Sequence, residues 1–413
     1  MTERLYYHDS FLYEFEGEVT EVVPAAEINA RHGVFLDRTA FYPTSGGQIH
    51  DTGWITPAGE SSGASRLRVA EVVETEDGRV VHYIEADKAP ERGLRIRGVV
   101  DVARRHDHMQ QHSGQHVLSA AFVKLFNMST VSFHMGEDAC SIDLDTLKLD
   151  PGQVEEAEVL ANWIVQENRP VEIRYATQEA AQDLGLRKPP RADKEELRLI
   201  DIREFDLSAC GGTHVTHTGQ IGCILLRKTE RVRQGWRVEF VCGQRAIATA
   251  RHDYQALTEA AGLFSGHIWD VPQQVRKSLD DIRAANKDKE RLLAQLADLE
   301  AAQLLAETVP VNGRKLVQRV YSDRDLGYIR LLAQRLTRRE ANVTVLLAAS
   351  TDPASLVFAQ SKGMPFDMAE LLKETVSKLS GRGGGSKDMA QGGVPAAANL
   401  EAALSDATGR LQT

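Results

Sequence analysis

Residues 112–116 read HSGQH and residues 210–214 read CGGTH. His112 and His116 stand four apart, the spacing that puts two side chains on one helix face about 5–6 Å apart at Cβ, close enough to share an ion. Cys210 and His214 repeat that spacing 94 residues after His116, in a run rich in Gly and Thr. Either pair by itself is an ordinary helix face or a plain turn. Together they make a Cys/His₃ set suited to the borderline-soft Zn²⁺. They also constrain the fold, because a helix and a distant loop must then meet. Four protein ligands close a tetrahedral zinc, the pattern of a structural metal, whereas catalytic zinc keeps a position for water. Structural zincs, however, usually draw on compact Cys-x-x-Cys knuckles, and ligands joined across a cleft suit a working site. The residues leave both uses open. His106, His108, His134 and His217 lie near the motifs and are read as surface residues or as neighbours of the ligands.

Four cysteines in 413 residues argue against a disulfide framework and leave thiols for metal binding or core packing. No run approaches the ~18 apolar residues of a membrane span, and the start MTERLYYHDSFLYEF lacks a basic-then-apolar signal region, so the expected compartment is the cytoplasm. The formal charge of −10 disfavours a protein that coats nucleic acid. Two strips are nonetheless basic: six Lys/Arg against two acids from Arg227 to Arg245, and eight against Asp323 and Asp325 from Arg314 to Arg339. Each strip alone reads as a solvated face; both on an acidic body suit a selective grip on a polyanion.

The chain is long enough for two or three domains. Residues 1–100 carry β-branched runs (VTEVVPA, HGVFLD, RLRVAEVVETEDGRVVHYIEA, LRIRGVVD) separated by turn signals, which predicts a small barrel or sandwich. Residues 104–126 predict a helix, 131–145 strands, and 151–169 a second helix with Pro151 at its start. Residues 205–245 return to strand and loop. Val275, Leu279, Ile282, Leu293 and Leu296 fit a heptad seam interrupted by Asn286 and Lys289, as in a helical arm or hairpin. Residues 308–352 predict a strand–helix–strand unit, and GRGGGSKDMAQGG at 381–393 predicts a glycine-rich loop.

HSGQH with CGGTH resembles the paired zinc motif of the editing domain of alanyl-tRNA synthetase and its free-standing relatives, the AlaX proteins. FYPTSGGQIHDTG at 41–53 resembles the glycine-rich segment of the barrel before that domain, and GRGGGSKDMAQGG resembles the glycine-rich loop of the C-terminal domain shared with DHH phosphoesterases. Three motifs in the family's order span nearly the whole chain and fit the long AlaX type. Ser113 stands where Thr is common and Gln220 where Glu is common, and neither is expected to touch a ligand.

The resemblance implies a multidomain α+β fold: a β-barrel over 1–100, an α/β zinc editing domain over 101–245, a helical arm over 246–309 and a C-terminal α/β domain of the DHH-associated type over 310–413. It implies a hydrolase that edits in trans, since the chain begins at the barrel. Such an enzyme deacylates mischarged tRNA(Ala), chiefly Ser-tRNA(Ala) and in second place Gly-tRNA(Ala). Zinc would be held by His112, His116, Cys210 and His214, and would position the amino group, polarise the ester carbonyl or activate water. The family's contact to the serine hydroxyl lies on the strand after the first helix, here with Thr130 and Ser132, of which Ser132 is favoured. Gly47 and Gln48 would border the pocket, though SGGQ is equally a β-turn. Gly383, Gly384, Gly385 and Lys387 would meet tRNA phosphates, though a Gly-rich linker is equally ordinary. The implied partner is tRNA(Ala), with a homodimer through the helical arm or the C-terminal domain. A zinc-stabilised tRNA-binding module without chemistry is the alternative. Threonyl-tRNA synthetase-like editing shares the zinc-type motifs, but the C-terminal loop argues against it.

Overall fold

The β-branched runs of the first hundred residues close into a barrel in the computed structural model, which describes residues 2–24, 31–58, 66–187, 196–395 and 399–412. Ala25, the last residue of one expected strand, lies outside them. Six strands, β1 (Glu14–Val23), β2 (His32–Leu36), β3 (Gly53–Pro57), β4 (Leu67–Glu74), β5 (Val80–Glu85) and β6 (Arg95–Val100), join in the order β1-β2-β5-β4-β3-β6. Their inward residues, among them Val19, Leu36, Val69, Ile84 and Ile96, form a core of their own together with Phe41 from the segment between β2 and β3. One imidazole is buried within it. His82 Nδ1 meets the Val34 carbonyl at 3.0 Å and Nε2 meets Thr39 Oγ1 at 2.8 Å. Burial pushes its pKa down to about 4, against the partial opposition of the Val34 bond.

The chain divides into two compact units, Met1–Glu259 and Ala260–Thr413. After the barrel, the first unit continues with α1 (Val102–Phe126), started by the Asp101 carboxylate accepting from Arg104 N at 3.1 Å and stopped by Asn127 at φ 54°. There follow β7 (Thr130–Met135), β8 (Cys140–Leu144), α2 (Pro151–Gln166), β9 (Val171–Thr177), α3 (Gln178–Asp183), β10 (Glu196–Ile202), β11 (Asp206–Ala209), β12 (Ile224–Val232) and β13 (Gly235–Cys242). Strands β12-β13-β8-β7 form one antiparallel sheet and β9-β10-β11 another. Helix α1 is buried on every side from His108 to Phe122, which is why it shows no clean apolar stripe. Gly114 lets it lie against β13, since a Cβ there would come within 2.3 Å of Cys242 Sγ. A fully buried ion pair ties the barrel to this helix: Arg105 Nε donates to both Asp51 carboxylate oxygens, and its Nη1 to the Ser10 carbonyl at 2.8 Å.

Two helices follow, α4 (Gly243–Leu263) and the 37-residue α5 (Val271–Glu307). Val275, Leu279 and Ile282 on the expected seam of α5 are exposed, whereas its last turns bury Ala297, Ala301, Leu304 and Leu305 in the core of the second unit. That unit adds β14 (Lys315–Tyr321), α6 (Leu326–Arg339), β15 (Val343–Ala349), β16 (Ala354–Gln360), α7 (Met368–Lys378), β17 (Arg382–Gly385), β18 (Met389–Val394) and α8 (Leu400–Gln412). The sheet order is β14-β15-β16-β18-β17, with β14 and β15 parallel and the rest antiparallel. The expected glycine-rich loop at 381–393 is therefore corrected: it is the β17–β18 hairpin. Gly383 and Gly385 serve close packing, since a Cβ at Gly383 would lie 2.9 Å from both the Gln391 carbonyl and Leu372 Cδ2, and one at Gly385 2.3 Å from the Met389 carbonyl, whereas Gly384 has open space. Among the described residues no helix is long and apolar enough to cross a membrane.

Candidate metal centre

Helix α1 presents His112 and His116 on successive turns, and the loop leaving β11 presents Cys210 and His214. The ligand atoms of these four residues all lie within 4.8 Å of one another, so that one ion can reach all of them. Cys210 Sγ is 3.4 Å from Nε2 of His112 and 3.4 Å from Nε2 of His214. The His112 and His214 rings are 4.5 Å apart at their centroids, and those of His116 and His214 4.7 Å. All three histidines are buried. Burial by itself raises the Cys210 thiol; the surrounding imidazoles of His112, His214 and His116 outweigh it and hold the thiol well below its ordinary value. His214 is pushed down to about 3, by burial first and by its neighbour His112 second. An anionic sulfur beside imidazoles is a donor set that suits a borderline-soft cation.

Each imidazole also has an outer partner at Nδ1. His112 meets Gln48 Oε1 at 2.7 Å, His116 meets Asp206 Oδ2 at 3.3 Å, and His214 meets Ser113 Oγ at 3.2 Å. Asp206 is itself held by Arg187 Nε at 2.7 Å and Ser208 Oγ at 3.0 Å. Arg198 fixes the ligand loop by donating from Nη1 to the carbonyls of Cys210 (2.7 Å) and Gly212 (3.0 Å) and from Nε to that of Tyr7 (2.9 Å). Spacing in the chain marks none of Asp206, Arg187 or Arg198, because their partners lie far away in sequence. Ser113 corrects the expectation that it touches no ligand. His108, expected on the surface or beside the ligands, is instead a core residue, 1% exposed, with no hydrogen-bond partner for Nδ1 among the described residues.

Gln48 and Gly47 border the cluster from the barrel side, but Gln48 is fully buried and its amide is engaged by His112 and Thr213. Thr130 and Ser132 part company. A bulge at Val131 sets Ser132 opposite Asp143 and Thr130 opposite Leu144. Thr130 consequently turns toward α1 and bonds Ser119 Oγ at 2.7 Å, three residues beyond His116. Ser132 is exposed and donates to Asp143 Oδ2 at 2.7 Å. The structure does not bring Ser132 to the cluster. Gly383, Gly384, Gly385 and Lys387 are exposed on the β17–β18 hairpin of the second unit.

The basic strips are partly spent on ion pairs: Arg227 with Asp253, Lys228 with Glu230, Arg237 with Asp143, Arg245 with Asp107, Lys315 with Glu340, Arg324 with Asp323 and Arg335 with Asp298.

Three family models match the chain in order: class II (A) tRNA synthetases over residues 2–104, the second additional domain of threonyl and alanyl tRNA synthetases over 197–238, and the DHHA1 domain over 312–413. The alanyl-tRNA editing protein AlaX-L of Pyrococcus horikoshii is 30% identical over 399 residues, which are 96% of this chain and 95% of that protein. The chain belongs to the alanyl-tRNA editing protein family. Alanine–tRNA ligases share the same region: that of Archaeoglobus fulgidus is 32% identical over 95% of this chain and 42% of the ligase, and that of Thermococcus kodakarensis 31% over 98% and 43%. The chain thus spans less than half the length of these ligases, while it matches the editing protein along nearly its full length. Of the four candidate ligands, His112 and His116 lie just beyond the first match and Cys210 and His214 inside the second.

Proposed function

We propose that this protein is a zinc-dependent deacylase that hydrolyses mischarged tRNA(Ala) in trans, with Ser-tRNA(Ala) as its chief substrate and Gly-tRNA(Ala) as its second. The observation that carries this reading is the convergence of His112, His116, Cys210 and His214, from two distant motifs, on one buried point. Zinc held by these four would supply Lewis acidity to orient or polarise the aminoacyl ester. The chain's own residues do the rest. Asp206, Ser113 and Gln48 keep the three imidazoles turned inward. The contact to a serine side chain goes in this reading to Thr130 in preference to Ser132, supported by its position on the face of β7 toward α1. A site that hydrogen-bonds the serine hydroxyl leaves buried polar groups unpaired when an amino acid without one enters, and it ranks the seryl ester first for that reason.

The two units share the work in this reading: the barrel (1–100) and the zinc domain (101–245) handle the ester, and residues 310–413, with the glycine hairpin and Lys387, hold the tRNA body. The helical arm (246–309) joins two copies through the exposed stripe Val275, Leu279 and Ile282, and the protein works in the cytoplasm. The four-ligand set, which leaves no open position on a tetrahedral ion, favours a second reading as a zinc-stabilised tRNA-binding module. Multiple-turnover hydrolysis of Ser-tRNA(Ala) decides between them. Wild-type protein is expected to release serine and to carry about one zinc per chain, and Cys210→Ser to lower both together. Tight binding of Ser-tRNA(Ala) without serine release establishes the binding module instead.

A further inference from the structure

The turn that delivers Gln48 is built to hold it in one place. Ser45 and Gln48 pair across a two-residue turn with reciprocal backbone bonds of 3.0 Å, and Gly46 and Gly47 take φ of 60° and 88°, the left-handed pair of a type I′ hairpin. The turn is docked on the edge strand β7: the Gly47 carbonyl accepts from Met135 N at 3.0 Å, and a Cβ at Gly47 would stand 2.6 Å from the Phe133 carbonyl. Phe133 in turn stacks on the His112 ring, centroids 5.4 Å apart and 22° from parallel.

The amide of Gln48 has only one workable orientation. Its Oε1 accepts from the Thr213 backbone N–H at 3.1 Å, which an NH₂ group cannot do, and its Nε2 donates to Thr213 Oγ1 at 2.8 Å. The same Oε1 lies 2.7 Å from His112 Nδ1, so Nδ1 must carry the proton. The Nε2 lone pair is then the one that faces Cys210 Sγ. Gly212 closes the argument sterically. A Cβ there would fall 2.1 Å from His112 Cε1 and 2.9 Å from Gln48 Oε1, so the loop comes this close only as glycine.

We propose that Gln48 is a positioning residue of the metal centre: it fixes the tautomer and ring direction of His112 and clamps Thr213, so that the barrel's turn holds the two ligand motifs in register. The proposal rests on the metal reading above and replaces the role of substrate contact for Gln48. Zinc affinity of the full-length chain, measured by competition with a chromophoric chelator, tests it without reference to turnover. Q48M, which keeps the shape and loses the amide, is expected to bind zinc about 10–100-fold more weakly, the usual effect of removing an outer partner. Q48E keeps an acceptor on Nδ1 and can take the Thr213 hydroxyl proton, so it is expected to restore most of that affinity. The ¹⁵N shifts of His112 should report Nδ1–H in the wild-type and Q48E proteins and a mixture in metal-free Q48M. Should Q48M fail to fold, Q48N, too short to reach Nδ1, takes its place with the same expectation. Wild-type zinc affinity in Q48M, whether with a raised KM for Ser-tRNA(Ala) or with a lowered melting temperature alone, overturns the proposal. His112→Ala separates the two readings: zinc lost there but kept in Q48M defeats the role of Gln48 alone, whereas zinc kept in His112→Ala defeats the metal reading and this proposal with it.

Discussion

A single bulged residue decides which hydroxyl of β7 faces α1. Regular alternation along β7 would put Thr130 and Ser132 on one face, since side chains repeat every second residue. Val131 breaks the count, so a one-residue slip moves Thr130 to the face that carries Leu144 and α1, while Ser132 stays outside with Asp143. Thr130→Val is therefore expected to slow Ser-tRNA(Ala) hydrolysis by roughly 1–3 kcal/mol in kcat/KM and to leave Gly-tRNA(Ala) nearly unchanged, because glycine offers no hydroxyl. Ser132→Ala is expected to change neither. Parallel kinetics on the two substrates check this, and equal losses on both in Thr130→Val would mean that its bond to Ser119 supports the fold instead. The glycines of CGGTH are likewise unequal. A Cβ at Gly211 meets only Tyr7 Oη at 3.4 Å, an adjustable neighbour, whereas Gly212 has no room for one.

At the scale of the element, the barrel carries a pH liability in His82. The folded state holds the imidazole neutral with its pKa pushed down to about 4, whereas the unfolded chain protonates near the ordinary 6.5. The unfolded state therefore binds the proton first as pH falls. The stability is intact above about 6.5 and drains away between 6.5 and 4. Between pH 7 and pH 5 the barrel is expected to lose roughly 2 kcal/mol more in the wild-type protein than in His82→Gln. Hydrogen exchange of the β2 and β5 amides at the two pH values measures it, and identical pH slopes would remove His82 as the cause. The periodicity of residues 1–100 announces strands, but not that one histidine sits inside with both ring nitrogens bonded. Helix α1 teaches the same lesson from the other direction. Its ends are local, set by Asp101 and Asn127, and are readable to within two residues. Its burial all round comes from the sheet, α2 and the ligand loop, and of these only β7 directly follows it in sequence.

Over the whole molecule, a count of basic residues overstates what is available to a polyanion. Of the eight between Arg314 and Arg339, Lys315, Arg324 and Arg335 are engaged in ion pairs, while Arg330, Arg338 and Arg339 on α6 are exposed and form none among the described residues. Reversing these three to Glu in the full chain is expected to weaken tRNA binding and to lower the slope of log affinity against log salt by roughly two to three, about one for each phosphate no longer neutralised. An unchanged slope from filter binding over a salt series would show that α6 is only a solvated face. What the sequence determined by itself is what local chemistry and fixed spacing control: strands in the first hundred residues, the limits of α1 and α2, and the pairing of His112 with His116, since an i, i+4 pair on a helix shares one face in any fold. Tertiary structure alone decided that Gln48, Ser113 and Asp206 stand behind the three imidazoles, that Thr130 and Ser132 face opposite ways, and that the C-terminal glycines pair as strands. The partners behind the imidazoles lie 64, 90 and 101 residues away, and no spacing within a motif encodes where a remote backbone will come to lie; the other two outcomes turn on a bulge and on a strand pairing that the local pattern does not announce.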